Sequence, residues 1–369
     1  MKIAHIADSH FQKKRLDECE RCFDFIIEYL VKEKPDYIFH AGDLFDKNTL
    51  INSPEYLASI DAMFSLADIA PVYMVRGNHD PMYSLDVFEK LDTNHPIHYF
   101  DEVNTIENDD FILLSIPYQI PSTVGSGDSI GEIHVTGADE IRSRITEFKN
   151  SKSENPKLIL AHISILDSRF ANSERIQEGE ILLSVDDLNI PELRGVFLGH
   201  IHNSQQDIFK DTRIRYAGAH YRTRFDEVME PGFYMWDFFV MQPTIKFVNT
   251  PARDMIQINL GEEDTKRLIA KGEFDFPEGA DIKLVLEVPQ GMNKIVNTDE
   301  IMNLAPEGTN LNVAVKVNPV VEVRSEKMSK GITDQEKLEE WCRISEVDLV
   351  SSLKKKLDEV VNHDRGLYV

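Results

Sequence analysis

The chain has 369 residues, of which 42% are hydrophobic and 28% charged, and a formal net charge of −24. This balance is ordinary for a globular protein of about two domains at ~150 residues each, and no apolar run approaches the ~18 residues of a membrane span. The acidity excludes nucleic-acid binding by the chain's own overall field, since phosphate contacts need Lys and Arg, and three cysteines exclude a disulfide framework and favour a reducing cytoplasm.

The opening stretch from Met1 to Asp8 is too short and too soon charged for a secretory leader, and residues 2–8 read as a strand. An amphipathic helix follows over 17–32. It takes Cys19 and Cys22 as small apolar residues on its buried face, because no second thiol or histidine pair accompanies them to make a redox or zinc site. Short apolar runs then recur at 37–43, 72–79, 157–164 and 195–202, each closing on polar residues. Between the first three lie helices. The second has Ser53 as N-cap and Pro54 at its first position, over 55–66. Strands alternating with helices imply a largely parallel sheet, whose ligands sit beyond the carboxyl ends of the strands. Residues 121–131, with Gly125-Ser126-Gly127, read as a loop of low complexity.

From about residue 214 the strands 214–219, 232–239 and 244–249 come without helices, to close the sheet edge or form a second layer. Residues 1–250 carry 24 basic and 41 acidic side chains, against 16 and 23 in 251–369, so the acidity is concentrated in the first part. A boundary is expected at Thr250-Pro251. Beyond it, 256–260, 283–288 and 311–317 read as strands of a smaller α+β domain ending at 322. Residues 323–369 are a charged linker and a helical tail. Thr333 to Glu336 spell a capping box and Ser345 to Asp348 a weaker one. The last helix carries Val347, Val350, Leu353, Leu357 and Val361 on one stripe, to be buried against the chain itself or against a partner. Trp341, Leu353 and Leu357 are the candidate partner contacts.

The chemistry-bearing signals are Asp8-Ser9-His10, Gly42-Asp43, Gly77-Asn78-His79-Asp80, His162 and Gly199-His200-Ile201-His202. Each alone is weak; together, each closing a strand, they form a metal constellation. The expected ligands are Asp8, His10, Asp43, Asn78, His162, His200 and His202. Carboxylate, imidazole and amide oxygen without thiolate suit manganese, iron or zinc in an open catalytic site. Two ions about 3.5–4 Å apart share a carboxylate, for which Asp43 is the candidate, and stabilise an in-line displacement at phosphorus with a water of lowered pKa as nucleophile.

These motifs resemble the calcineurin-like metallophosphoesterases over residues 1 to about 220. Gly42-Asp43-Leu44-Phe45-Asp46, the motif order and the C-terminal modules are similar to the double-strand-break repair nucleases of the SbcD type. The resemblance implies a two-layered β-sandwich flanked by helices (residues 1–250), a capping domain that orients DNA (251–322) and a tail that docks on an SMC-like ATPase of the SbcC type (323–369). It implies a Mn2+-dependent exonuclease and endonuclease acting on double- and single-stranded DNA in end processing, repair or recombination, as a homodimer within a heterotetramer, with no membrane. Two Mn2+ are expected, with Mg2+, Fe2+ or Zn2+ as alternatives. One ion would be held by Asp8, His10, Asp43 and His202, the other by Asp43, Asn78, His162 and His200. His79 would act at the leaving oxygen and Asp80 would orient it. Asp46 stands where archaeal and eukaryotic relatives carry a His, so that residue's role does not transfer.

Arg76 is a candidate phosphate contact, and Arg213, Arg215, Arg222 and Arg224, with Lys13, Lys14 and Arg15, are candidates to line a DNA path. His5 and His40 lie inside strands and read as structural. The alternatives to a nuclease are a phosphatase or cyclic-nucleotide phosphodiesterase on the same two metals, and a non-catalytic scaffold. The expected location is the cytoplasm of a bacterium, or of a host cell if the source is a bacteriophage.

Overall fold

The computed structural model describes residues 1–46, 49–82, 85–127, 129–166, 168, 180–188, 191–205, 213–227, 229–239, 243–294, 296–318, 333–344 and 354–356. Its strands are β1 (Lys2–Ile6), β2 (Tyr37–His40), β3 (Val72–Val75), β4 (Ile97–Phe100), β5 (Asn104–Glu107), β6 (Ile112–Ile116), β7 (Lys157–His162), β8 (Ser164–Ile165), β9 (Leu182–Leu183), β10 (Leu193–Gly199), β11 (Ile214–Tyr216), β12 (Gly232–Asp237), β13 (Thr244–Asn249), β14 (Met255–Leu260), β15 (Asp281–Pro289) and β16 (Asn310–Asn318). The helices are α1 (Leu16–Glu33), α2 (Pro54–Ile69), α3 (Pro121–Val124), α4 (Ile130–Lys149), α5 (Val185–Leu188), α6 (Glu262–Lys271), α7 (Thr298–Met302) and α8 (Asp334–Ile344).

Two sheets carry the fold. One runs β13-β12-β1-β2-β3-β4 and the other β11-β10-β7-β6-β5. The first is parallel from β1 to β4, with β12 and β13 added antiparallel at its edge; the second is parallel except for β5. Of the three late strands expected to close an edge or form a layer, β12 and β13 therefore extend the first sheet and β11 the second.

Side-chain alternation explains the layering. Ile3, Ala7, Phe39, Tyr73 and Val75 from the first sheet meet Phe111, Leu113, Leu158, Leu160 and Phe197 from the second in one buried cluster. The intervening residues point the other way: Ala4, Ile6, Ile38, Val72 and Met74 pack with Phe23, Ile26, Leu30, Met63 and Leu66 of α1 and α2. Ile112, Leu114, Ile159, Val196 and Leu198 pack with Ala138, Ile141, Ile145 and Phe148 of α4. A strand covered on both faces is apolar throughout, which is why these strands appeared as continuous runs. The expected sandwich flanked by helices is the observed one.

Helix ends follow local chemistry. The Ser53 hydroxyl accepts from Tyr56 N with Pro54 at the first position of α2, and α1 ends on Lys34 in the left-handed region. Ser129 and Glu132 form a full capping box for α4, in the stretch expected to be a loop. Cys19 and Cys22 are buried on the inner face of α1, as expected, and burial raises both thiols.

The chain divides into two compact units. The first is Met1–Ile258 with Asp275–Lys283 and Ala305–Asn312; the second is Asn259–Phe274, Leu284–Leu304 and Val313–Val369. Strands β14, β15 and β16 form a three-stranded sheet. Thr333 caps α8, its hydroxyl accepting from Glu336 N at 3.3 Å while the Glu336 carboxylate takes Thr333 N at 2.7 Å. On α8, Trp341 is 45% exposed and Cys342 is buried. Leu353, Leu357 and the rest of the expected last stripe lie outside the described residues. Among the described residues no helix is long and apolar enough to cross a membrane.

Candidate metal centre

Parallel register brings the motif-bearing strand ends level. Ile6 pairs with His40, His40 with Met74, and Gly199 with His162. Four of the five expected strands stop before their polar residues, and β7 closes on His162 itself. For the strands ending at Ile6, His40 and Gly199 the reason is backbone conformation: Asp8, His10, Asp43 and His200 have φ of 49°, 40°, 53° and 100°, which an extended ladder cannot contain. The loops instead bond to each other. Asp8 N donates to Gly42 O at 3.0 Å, His10 N to Asp43 O at 3.0 Å and Phe11 N to Leu44 O at 2.9 Å. Gly77 passes so close that a Cβ there would run into the Asp43 carboxylate and amide nitrogen.

All seven expected ligands converge. Asp43 Oδ2 lies 3.6 Å from His10 Nε2 and 3.4 Å from His162 Nε2. Asn78 Oδ1 is 2.9 Å from His162 Nε2 and 3.0 Å from His200 Nδ1. Asp8 Oδ1 accepts from His200 N at 2.9 Å, and the His202 ring centroid is 4.6 Å from that of His10. Two groups with ligand atoms spaced to hold an ion share Asp43: Asp8, His10 and Asp43, and Asp43, His162 and His200. Asp8 Oδ2 and His10 Nε2 are buried without a hydrogen-bond partner among the described residues. Orphaned acceptors of this kind are costly unless something cationic meets them, so the donor set fits divalent metal.

Electrostatics agree. Burial pushes Asp8 up to about 6 despite the pull of His162 and His202. Burial, helped by His202, holds His10 well below its ordinary value, so it is neutral and able to ligate. Burial alone would raise Asp43, but the charge and hydrogen bond of His162 hold it well below the usual carboxylate range. His162 is raised to about 9, Asp43 and Asp8 outweighing its burial. The Asp43–His162 pair thus carries a proton that a cation would displace.

The open side is formed by Asn78, His79, His200 and His202, which are partly exposed, while Asp8, His10, Asp43 and His162 form the buried wall. The His79 backbone N–H donates to Asp43 Oδ1 at 2.8 Å. Its ring was expected to be oriented by Asp80, and this needs correction. The two Asp80 oxygens accept from Phe45 N at 3.0 Å and Gly77 N at 2.8 Å, tying the second and third loops together. The His79 ring is met by Asp46, with Nδ1 3.2 Å from Oδ1.

The sequence reading missed three further groups. Glu227 Oε1 is 2.7 Å from His202 Nδ1, Glu180 Oε2 is 3.3 Å from His200 Nε2, and the Tyr221 hydroxyl donates to His10 O at 2.7 Å. Burial would raise Glu227, yet its contacts with His202 and Thr223 hold it below its ordinary value. None of the three has a fixed spacing to a motif that the sequence could have shown.

The arginines need correction too. Arg76 is buried and donates to Gly77 O at 3.3 Å and Tyr118 O at 2.5 Å rather than facing a phosphate. Arg222 is buried against Glu230 at 3.4 Å and Asp254 at 3.2 Å. Arg213 donates to Leu193 O and Arg215 to Ile214 O, and Arg15 pairs with Asp281 at 2.7 Å. Arg224 is 39% exposed and lies 3.6 Å from Glu227; Lys13 and Lys14 are exposed. His5 and His40 are fully buried and, like His220, lowered to about 3 by desolvation, so the structural reading of the first two is the observed one.

The family model described as calcineurin-like phosphoesterase matches residues 1–204. Two curated relatives are named as the SbcD component of the nuclease SbcCD. That of Staphylococcus epidermidis is 26% identical over 250 residues, 63% of this chain and 65% of the relative. That of Staphylococcus saprophyticus is 24% identical over 277 residues, 71% of this chain and 72% of the relative. The match to the S. epidermidis protein thus spans slightly less than two thirds of it. Among solved structures, a dimetal phosphatase from Danio rerio aligns with a TM-score of 0.44 and 11% identity over 68% of this chain and 96% of that one.

Proposed function

From membership of the calcineurin-like phosphoesterase family, to which this chain belongs, we propose that it is a DNA phosphodiesterase using two divalent cations and working with an SMC-like ATPase. Asp43 carries the reading: one buried carboxylate belongs to two of the three His/Asp groups spaced to hold an ion among the described residues, as a ligand shared between two ions must, the third group being His10, Asp46 and His79. Asp8, His10, Asp43 and His202 would hold one ion, and Asp43, Asn78, His162 and His200 the other. When bound, the ions, Mn2+ in this reading, neutralise charge developing on the phosphoryl oxygens and lower the pKa of the attacking water.

The chain's own residues do the rest. Asp43 Oδ1 anchors the His79 backbone, and Asp46 meets the His79 ring, whose side chain is 21% exposed at the open edge. A protonated His79 there would give its proton to the leaving oxygen. Cleavage of nucleic acid and a partner subunit are supported by the names of the two staphylococcal relatives, each the D subunit of a nuclease SbcCD; the DNA substrate and the ATPase nature of the partner are part of the proposal. In an acidic chain, the exposed Lys13 and Lys14 and the partly exposed Arg224 would supply phosphate contacts, and the partner the remaining affinity. Residues 251–322 would orient DNA over the metals, in a homodimer bound to its ATPase in the cytoplasm, serving repair or recombination.

The test is digestion of end-labelled duplex DNA with Mn2+, with and without the ATPase. Mn2+-dependent release of labelled nucleotides, stopped by chelation, is expected. Intact DNA alongside rapid hydrolysis of a small phosphomonoester would transfer the site to the phosphatase reading.

A further inference from the structure

One aromatic side chain at the mouth of the metal centre is outside the set of expected ligands. Tyr118 lies just past β6, is partly exposed, and sets its ring centroid 6.3 Å from that of His162 and 6.1 Å from that of His200. His79 occupies the other end, its ring centroid 4.7 Å from that of His10. The two rings thus flank different groups of ligands: His79 the group with Asp8 and His10, Tyr118 the group with His162 and His200.

Tyr118 belongs to none of the three apolar clusters, yet its backbone is held in place. Its N–H donates to Arg76 O at 2.8 Å, and the buried Arg76 guanidinium donates back to Tyr118 O at 2.5 Å and to Gly77 O at 3.3 Å. Arg76 thereby ties Tyr118 to the loop that carries Asn78 and His79. The pocket that Tyr118 lines with Gln119, His162, Ser164 and Glu180 has a volume of about 10 Å³, room for one water. A planar group as large as a nucleobase cannot enter it and can meet only the exposed side of the ring.

Every base has a π-face, so an exposed aromatic ring beside a strand being cut is a stacking platform that tolerates any sequence. With the leaving oxygen at the His79 end, the strand on the other side of the scissile phosphate runs past His200 toward Tyr118. We propose that Tyr118 is a substrate-contacting residue whose ring stacks on the base of that retained nucleotide. This rests on the phosphodiesterase reading above and on His79 as donor to the leaving oxygen.

The experiment uses the full chain, Mn2+ and single-stranded oligothymidylates with one cleavable phosphodiester. The base is removed from the nucleotide on the leaving side, from that on the retained side, or from neither. In the wild type, loss of the retained-side base should raise KM by roughly 5–150-fold, the range of one base–aromatic stack, and loss of the leaving-side base should not. Tyr118→Ala should raise KM for the intact oligomer by the same factor and add nothing further once the retained-side base is gone; Tyr118→Phe should restore the wild-type KM. Calorimetric Mn2+ binding should be the same in each variant. Weakened Mn2+ binding in Tyr118→Ala would make the residue a support for His200 and overturn the proposal. Equal effects of Tyr118→Ala with and without the base would overturn it too, as would Tyr118→Phe behaving like Tyr118→Ala, which assigns the contact to the hydroxyl. In each of these cases wild-type cleavage keeps the phosphodiesterase reading standing. A wild type that cleaves none of the oligomers while hydrolysing a phosphomonoester removes that reading and the stacking role with it.

Discussion

The imidazole Nδ1 of His79 lies 3.2 Å from Oδ1 of Asp46, four residues into the loop that begins with Gly42-Asp43. A ring held on one nitrogen presents the other to substrate, the arrangement a proton donor needs. His79→Ala should therefore lower phosphodiester hydrolysis by roughly 10²–10⁴-fold while calorimetric Mn2+ binding survives. Asp46→Asn should cost less, on the order of tenfold, through kcat rather than KM. Unchanged hydrolysis in His79→Ala would remove the assigned role.

Gly77 has room for no side chain against Asp43. Gly77→Ala should push the shared carboxylate out of place, weakening Mn2+ binding on the order of 100-fold and costing roughly 1–3 kcal/mol of stability in urea unfolding. A variant with wild-type metal affinity would show that Asp43 tolerates displacement.

How much of this was legible depended on the kind of residue. Asp8, Asp43, His162 and His200 announced themselves because an apolar run ending in a polar residue is visible in one dimension, and parallel pairing then brings such ends together. Asp46, Glu180 and Glu227 did not, because their partners are 33, 20 and 25 residues away with no periodicity linking them. Arg76 and Arg222 misled for the complementary reason: a sequence shows a cation but not the carbonyls and carboxylates that already engage it. Strand lengths were overestimated wherever the chain turns through left-handed backbone, which composition does not reveal.

His5 sits between the sheets, its Nε2 3.1 Å from Leu198 O and its ring edge-on to Phe197. Burial lowers it to about 3, below the ordinary 6.5 of the unfolded chain, so the unfolded state takes up the proton first. Its contribution to stability is intact above pH 6.5 and is lost progressively as pH falls toward 3, at about 1.4 kcal/mol per pH unit. His40 and His220 follow the same sign. Urea unfolding at several pH values should show this slope, reduced by about one proton in His5→Gln; an unchanged slope would mean that His5 is protonated in the fold.

Trp341 is half exposed on α8, and the tail is proposed to dock on an ATPase. Deleting residues 333–363 should abolish co-purification with that partner and leave Mn2+ binding intact. Trp341→Ala should weaken the complex by on the order of tenfold or more, as for an aromatic anchor. A complex retained after the deletion would place the docking surface elsewhere.

The left-handed backbone at Asp8, His10, Asp43 and His200 has a consequence for how such a chain would evolve. Side chains on such backbone cost of order 1–3 kcal/mol each in strain, which glycine would relieve. A copy released from catalysis would therefore gain thermal stability by losing these very residues. Replacing them with glycine would thus trade the ligand set for endurance, the opposition between a working site and a robust fold written into four backbone angles.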